Sequence, residues 1–295
     1  MDNYRIVILG ANGFLARALA KKLANQPVLL ISRKPKTPAS SKHQAYSWDQ
    51  LIANPAILKA SEHIYSLCGK SLLGLWTQKF KEELINSRTE PIKILDELLT
   101  KINHNPRIYI ASGVGYYGHP STEHTAPFTE LDTVHNKNAL SHIAHAVENS
   151  RSNNRKNNTF YLRIGVVLSN DGGLLPLMKL PHYLFLGAVF GDGKQPMSWI
   201  SLDDVINAMI HLQSSTQAGA YNLCAPNPTT HGEFTHALSK SLNRTARIRI
   251  PTWIAKQSSL VSNTILLGQA VVPEKLLSEG FEFKHPTIKT YLQAS

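Results

Sequence analysis

Residues 5–32 read RIVILGANGFLARALAKKLANQPVLLIS. The first six, RIVILG, are a short apolar run ending in glycine, the pattern of a buried strand. Residues 14–24 place apolar side chains at helical spacing, and 27–32, PVLLIS, return to strand. Strand, helix and strand within about thirty residues make a βαβ unit, the building block of a parallel, doubly wound sheet. Between the first strand and the helix stand Gly10, Gly13 and Ala16. In a dinucleotide fold the first glycine permits the tight turn and the second lets backbone approach a pyrophosphate. The third small residue allows close helix–strand packing. Asn12, Phe14 and Leu15 complete the turn and open a helix whose free N–H groups favour phosphate.

The end of the second strand bears on which dinucleotide is bound. An NAD site places a carboxylate there for the ribose hydroxyls. This chain has Ser32, Arg33 and Lys34 instead, a hydroxyl and two cations that suit a 2′-phosphate. NADP is therefore expected, with NAD the less favoured cofactor.

The same alternation continues. Strand-like 63–68 precedes a helix through about 77–100, and strand-like 107–111 opens a Gly/Tyr-rich loop. A polar helix near 137–150, a basic Asn-rich loop and a strand at 159–164 follow. These strands are apolar nearly throughout, as sheets covered on both faces require. After residue 165 the rhythm changes. Residues 170–198 read as loop-rich, 203–213 as an amphipathic helix begun by Asp203-Asp204, and 219–223 as a strand. Helices at 231–242 and about 251–261, a strand at 246–250 and a helix from near Pro273 complete the reading. The fold class is α/β: a Rossmann-type doubly wound parallel sheet with a smaller C-terminal substrate lobe. The expected division is 1–165 for the dinucleotide domain, with 201–225 packing back onto it, and 166–200 with 226–295 for the lobe.

The chain has 295 residues, 42% of them hydrophobic and 17% charged, the balance of a globular protein rather than a disordered or fibrous one. Two cysteines rule out a disulfide framework and fit a reducing compartment. No apolar run is long enough to span a membrane and no secretory leader is evident, so a cytoplasmic protein without a membrane partner is expected. The formal charge of +11 is scattered, without a run of five or six cations or interleaved aromatics. Nucleic acid is therefore not expected as a partner, and an anionic small molecule is. Oligomeric state is not legible.

Several stretches together carry a resemblance. They are GANGFLA at 10–16, LCGKSL at 67–72, WTQKFKEELINSR at 76–88, ASGVGYYG at 111–118, LRIGVVLSNDGG at 162–173, GDGKQPMSWISLDDV at 191–205, YNLCAPNP at 221–228 and VVPEKLLSEGFEF at 271–283. The chain resembles the extended, atypical short-chain dehydrogenase/reductase superfamily. Within it, the chain is similar to the predicted sugar-nucleotide epimerases, some once labelled cell-division inhibitors. The resemblance implies a Rossmann domain, an NADP cofactor, and a cleft under the C-terminal lobe. It also implies an oxidoreductase or epimerase (isomerase) acting on a sugar nucleotide or similar polar carbonyl or alcohol.

In that superfamily a Tyr followed four residues later by Lys moves the proton, on one helix face, while a Ser holds the substrate oxygen. Ser112 matches the Ser. The dyad positions fall at Leu140 and Ala144, and none of the ten tyrosines has Lys four residues on. Another acid or base is then needed, with Tyr116, Tyr117, His142 and His145 the candidates near the site. The alternative is a protein that binds NADP without turnover. No metal is expected, because the two helix histidines, like His119 and His124, lack further ligands at suitable spacing. Cys68, Gly69, Gly165 and Val166 fall at strand ends where a cofactor would lie. Cys68 there reads as a small packing residue. On the substrate side, Gln195 and Ser198 are candidates to hydrogen-bond hydroxyls, and Trp199 either stacks on a sugar or fills the core. Asp203-Asp204 read as a helix cap with a dipole partner.

Overall fold

The computed structural model describes residues 4–119, 126–133, 137–246, 248–255, 257 and 268–293. Met1–Asn3, His124 and residues 256 and 258–261 of the helix expected at about 251–261 lie outside these residues.

In chain order the first half contains β1 (Ile6–Leu9), α1 (Phe14–Lys22), β2 (Val28–Ser32), β3 (His43–Ser47), α2 (Trp48–Ala53), β4 (His63–Ser66), α3 (Gln78–Lys101), β5 (Arg107–Gly113), α4 (Ala139–Glu148) and β6 (Thr159–Ile164). Then come β7 (Val166–Leu168), α5 (Leu175–Tyr183), β8 (Ala188–Phe190), β9 (Pro196–Met197), β10 (Trp199–Ser201), α6 (Leu202–His211) and β11 (Gly219–Leu223). The chain closes with β12 (Thr229–Thr230), α7 (His231–Ser241), β13 (Ile248–Ile250), α8 (Thr252–Ala255), α9 (Glu274–Ser278) and α10 (Ile288–Gln293).

Seven strands form one parallel sheet in the order β11-β6-β5-β4-β1-β2-β3. The order reverses between β1 and β4, which creates a crevice at their carboxyl ends. Ile6, Ile8, Val28, Leu30, Tyr65 and Leu162 face one way, onto α1 and α6. Val7, Leu9, Leu29, Ile31, Ile64 and Ile110 face the other, onto α3. The apolar strands are thus buried on both faces and the Rossmann-type reading holds.

Of the elements that depart from the sequence reading, three have a plain physical reason. Strand β3, HQAYS, is missed because it is a sheet edge and its side chains are only partly buried. Helix α5 lies inside the stretch read as loop. Pro176 falls in its first turn, where the absent N–H costs nothing, and Pro181 falls only near its end. Helix α6 is capped by Ser201 rather than Asp203, the Ser201 hydroxyl accepting from the Asp204 N–H.

A separate apolar cluster of Leu168, Leu175, Trp199, Phe234, Leu238 and Tyr291 lies beyond the sheet. Beside it, burial and then the neighbouring His182 push His231 down to about 4. An unfolded chain takes up that proton near pH 6.5, so stability is full above 6.5 and declines as pH falls towards 4. Urea titrations should show His231→Gln losing about 3 kcal/mol less than the parent between pH 7 and 4. Parallel pH profiles would refute this origin.

Candidate active site

Gly10 leaves β1 with φ +80°, a conformation open to glycine at little cost. A Cβ there would lie 2.9 Å from the backbone of Leu67 and Cys68 at the end of β4. The turn is closed by Gly10 and Ala11 N–H groups donating to the Ile31 carbonyl (2.9 and 3.0 Å) and by Gly13 N–H to the Gly10 carbonyl (2.8 Å). Gly13 starts α1 without a side-chain cap, and the first turn holds no acidic residue. Its leading N–H groups are therefore left to an anion in the crevice. The Phe14 ring is roofed by Gly172 and Gly173, where added Cβ atoms would come within 3.0 and 3.3 Å of it. Leu15 packs against the core.

Asn12 joins this turn to the basic stretch after β2, its amide donating to the Lys34 carbonyl at 2.8 Å. Ser32 is buried, Arg33 and Lys34 are exposed, and no carboxylate occurs from Ser32 to Trp48. Burial pushes the Cys68 thiol up to about 12, with Arg33 pulling weakly the other way. Cys68 is therefore a neutral packing group. Gly165 is where β6 passes into β7 and exchanges β11 for β10 as its neighbour. Its N–H donates to the Leu223 carbonyl, and Val166 N–H to the Ser198 carbonyl. A Cβ on Gly165 would strike that Ser198 oxygen at 2.9 Å.

One residue the sequence reading missed is Arg88. Its guanidinium lies against Gly69, within 3.0–3.2 Å of where a Cβ would stand, and donates to the carbonyls of Leu84 (2.8 Å) and Lys70 (3.0 Å). Burial lowers its pKa, and no carboxylate opposes the shift. A half-buried cation with no carboxylate partner among the described residues is costly, and this one borders the crevice. Arg88 lies three turns into α3, so only the folded β4–α3 connection brings it beside Gly69.

Ser112 on β5, Arg163 on β6 and Asn222 on β11 stand side by side in register. The Ser112 hydroxyl donates to Glu148 Oε1 (3.0 Å), and Glu148 takes two hydrogen bonds from Arg163 (2.9 and 2.8 Å). Burial works against the Arg163 charge, and the Glu148 carboxylate outweighs it, so the guanidinium is held more firmly protonated than usual. Arg163 also donates to Tyr117 Oη (3.0 Å), which donates to Asn222 Oδ1 (2.7 Å).

That network corrects one candidate. Tyr117 is fully buried, its hydroxyl has both partners inside the protein, and burial raises its pKa further. It is a structural link rather than an acid or base at the surface of the cleft. Tyr116 differs. Its ring is half-buried between the Arg163 guanidinium, 3.3 Å from the ring centroid, and the His145 imidazole at 4.3 Å. Burial lowers the His145 pKa, and its Nε2 is buried without a hydrogen-bond partner. His142, by contrast, faces solvent. The dyad positions are apolar in their setting too. Leu140 sits against Gly115 and a cluster containing Trp76, Leu84 and Ile143, and Ala144 is buried.

The substrate-side candidates are drawn inward. Trp199 is fully buried against Tyr291, so it fills the core and offers no face to a sugar. Ser198 is buried as well, donating to the Gln269 carbonyl (2.7 Å) and accepting from Val271 N–H (2.9 Å), which fastens the C-terminal segment. Gln195, half-buried, donates to the Phe190 carbonyl (3.0 Å). Asp204 is a buried anchor for Lys284 and His285 N–H groups, and Asp203 pairs at the surface with Lys284.

The family model of the NAD dependent epimerase/dehydratase family matches residues 6–224, and a domain of unknown function, DUF1731, matches 261–295. The chain is 30% identical over 294 residues to an epimerase family protein of Staphylococcus saprophyticus, covering 97% of each. It is 29% identical over 299 residues to the human epimerase family protein SDR39U1, covering 98% of each. The crystal structure of human SDR39U1 (isoform 2) with NADPH matches with a TM-score of 0.86 and 27% identity over 98% of both chains. A nucleoside-diphosphate sugar epimerase from Corynebacterium glutamicum matches with a TM-score of 0.71 and 25% identity, over 98% of this chain and 57% of that one. With its parallel sheet, its glycine turn and a family match across most of its length, this chain belongs to the NAD dependent epimerase/dehydratase family.

Proposed function

We propose that the chain binds NADP and acts as an oxidoreductase or epimerase of the extended short-chain type, on a sugar nucleotide or similar polar carbonyl or alcohol. The observation that carries the cofactor choice is the Asn12–Lys34 link, which ties the phosphate turn to a carboxylate-free, basic strand end. NADPH bound to human SDR39U1 supports the same reading. The residues fit the dinucleotide. Gly10 and Gly13 leave room for a diphosphate, the open start of α1 meets it, and Arg33 and Lys34 meet a 2′-phosphate. Arg88 adds positive charge beneath Gly69.

The nicotinamide, when bound, supplies hydride chemistry. The chain must orient substrate and move a proton. Ser112 is held by Glu148, which is itself fixed by Arg163, so its hydroxyl has one orientation and lone pairs left to accept from a substrate hydroxyl. Tyr116 is the phenol left free for proton transfer once Tyr117 is assigned to the network. His145 stacked on it is an uncharged imidazole at neutral pH.

A second reading, NADP binding without turnover, is favoured by one observation: apolar Leu140 and Ala144 occupy the dyad positions. Arg33→Asp should weaken NADPH binding about 100-fold, from a lost charge-assisted hydrogen bond plus repulsion, and leave NADH nearly unchanged. Nicotinamide fluorescence titrations measure both. Equal weakening of the two nucleotides, or none, would sink the NADP assignment. Transfer of deuterium from C4-labelled NADPH to a panel of keto sugars and other polar carbonyls, or from carbinol-labelled sugar nucleotides to NADP, separates the catalytic reading from the second.

A further inference from the structure

The large hydrophobic side chains left at the surface are unevenly spread. Among the described residues, nine of fourteen fall in two short segments, 177–186 and 248–254. Leu184, Phe185 and Leu186 are 55–66% exposed and Trp253 is 69% exposed. The two segments are one edge of the molecule. Strands β8 and β13 run parallel, Ile248 beside Ala188 and Ile250 beside Phe190, and Gly191 N–H donates to the Ile250 carbonyl. The Leu184–Leu186 loop therefore precedes the short ribbon and Trp253 follows it, the ribbon itself spanning about 10 Å at the usual rise per strand residue.

The charge on this edge is mostly positive. Its described residues include Lys179, Lys240, Arg244 and Arg249, against the exposed Asp192 that follows directly on Gly191. The Arg244 guanidinium lies 4.6 Å from the Phe185 ring centroid, so the cation emerges from the apolar surface itself, and Arg249 is exposed between the two hydrophobic ends. A second copy docked here would bring two such cationic faces together, which like-charge repulsion opposes. Apolar and aromatic side chains interleaved with an excess of Lys and Arg are what an anionic lipid surface complements.

We propose that this edge docks on the surface of an anionic phospholipid bilayer. The side chains of Leu184, Phe185, Leu186 and Trp253 enter the headgroup boundary, and Arg244 and Arg249 face the phosphates. Such attachment needs no spanning segment, and no helix among the described residues is long and apolar enough to cross a membrane. The expectation of no membrane partner rested on spanning runs alone, which do not bear on surface docking.

The full chain is sedimented with sucrose-loaded vesicles of phosphatidylcholine, alone or with 30% phosphatidylglycerol, and its melting temperature, NADPH binding and oligomeric state are measured alongside. Affinity should be at least about tenfold higher for the anionic vesicles and fall with salt, each Lys or Arg near such a surface contributing about fivefold. Phe185→Asp with Trp253→Asp should reduce vesicle binding at least about tenfold while melting temperature and NADPH binding stay unchanged. Arg244→Gln with Arg249→Gln should weaken binding to anionic vesicles only, and it supplies the test if the aspartate variant fails to fold. Absence of vesicle binding, equal binding to both compositions, or variants that bind as the parent does would overturn the proposal. Self-association abolished by the aspartate variant, without vesicle binding, would assign the edge to a second copy and overturn it too.

Discussion

Arg163→Ala is expected to lower the unfolding free energy by about 3–5 kcal/mol, the cost of leaving a buried charge without its partner. The guanidinium gives two hydrogen bonds to Glu148 and one to Tyr117, and it lies over the Tyr116 ring. Its removal leaves the Glu148 carboxylate in an apolar setting with only the Ser112 hydroxyl. Replacing both partners by apolar residues of similar shape, Arg163→Met with Glu148→Leu, should cost clearly less than the single change. Urea denaturation of the two single variants and the pair measures this coupling. A double variant no more stable than Arg163→Ala would show that the network's worth lies elsewhere, in Tyr116 and Tyr117 packing.

Gly10→Ala should act on stability and cofactor together. The φ of +80° costs an L-residue about 1–2 kcal/mol. The new Cβ also stands 2.9 Å from main-chain atoms of Leu67 and Cys68, which cannot rotate away as a side chain would. Overpacking of that kind adds about 1–3 kcal/mol. Gly280→Ala is the control, because its φ is +77° and nothing lies within 4 Å of the added atom. It should cost only the backbone share, about 1–2 kcal/mol. NADPH binding should be unaffected by Gly280→Ala. Gly10→Ala should weaken it at least about 100-fold, since the displaced turn loses charge-assisted N–H contacts of about 1.5–3 kcal/mol each. Thermal melts and fluorescence titrations of the two variants decide it, and equal behaviour of the two would refute the close-approach argument.

The sites differ in how far the sequence reveals them because they differ in how local they are. The glycine turn, the basic end of β2 and the parallel sheet were legible in residues 5–34 and in the repeated apolar strands. Each follows from periodicity or conformational need within about thirty residues. The loss of the helix dyad was also legible, since it is a matter of identity at a fixed spacing. What was not legible is which hydroxyls are free. Tyr116 and Tyr117 are neighbours in a motif, and nothing local says that one is sealed against Asn222, more than a hundred residues away, while the other stays half-exposed. Ser198 reads as a polar contact for a sugar, and Trp199 as either a stacking face or core, until the 268–273 segment and α10 are seen to cover them.

The sequence alone determined the fold class, the glycine turn after β1 and the basic strand end, because these depend on backbone freedom and pattern over short distances. The tertiary structure alone decided that Arg88 lies beneath Gly69, that Ser112, Arg163 and Asn222 align in one row, and that Trp199 is core. Strand register and helix docking join residues far apart in the chain, and burial, which fixes whether a polar group meets solvent or protein, is a property of that assembled packing.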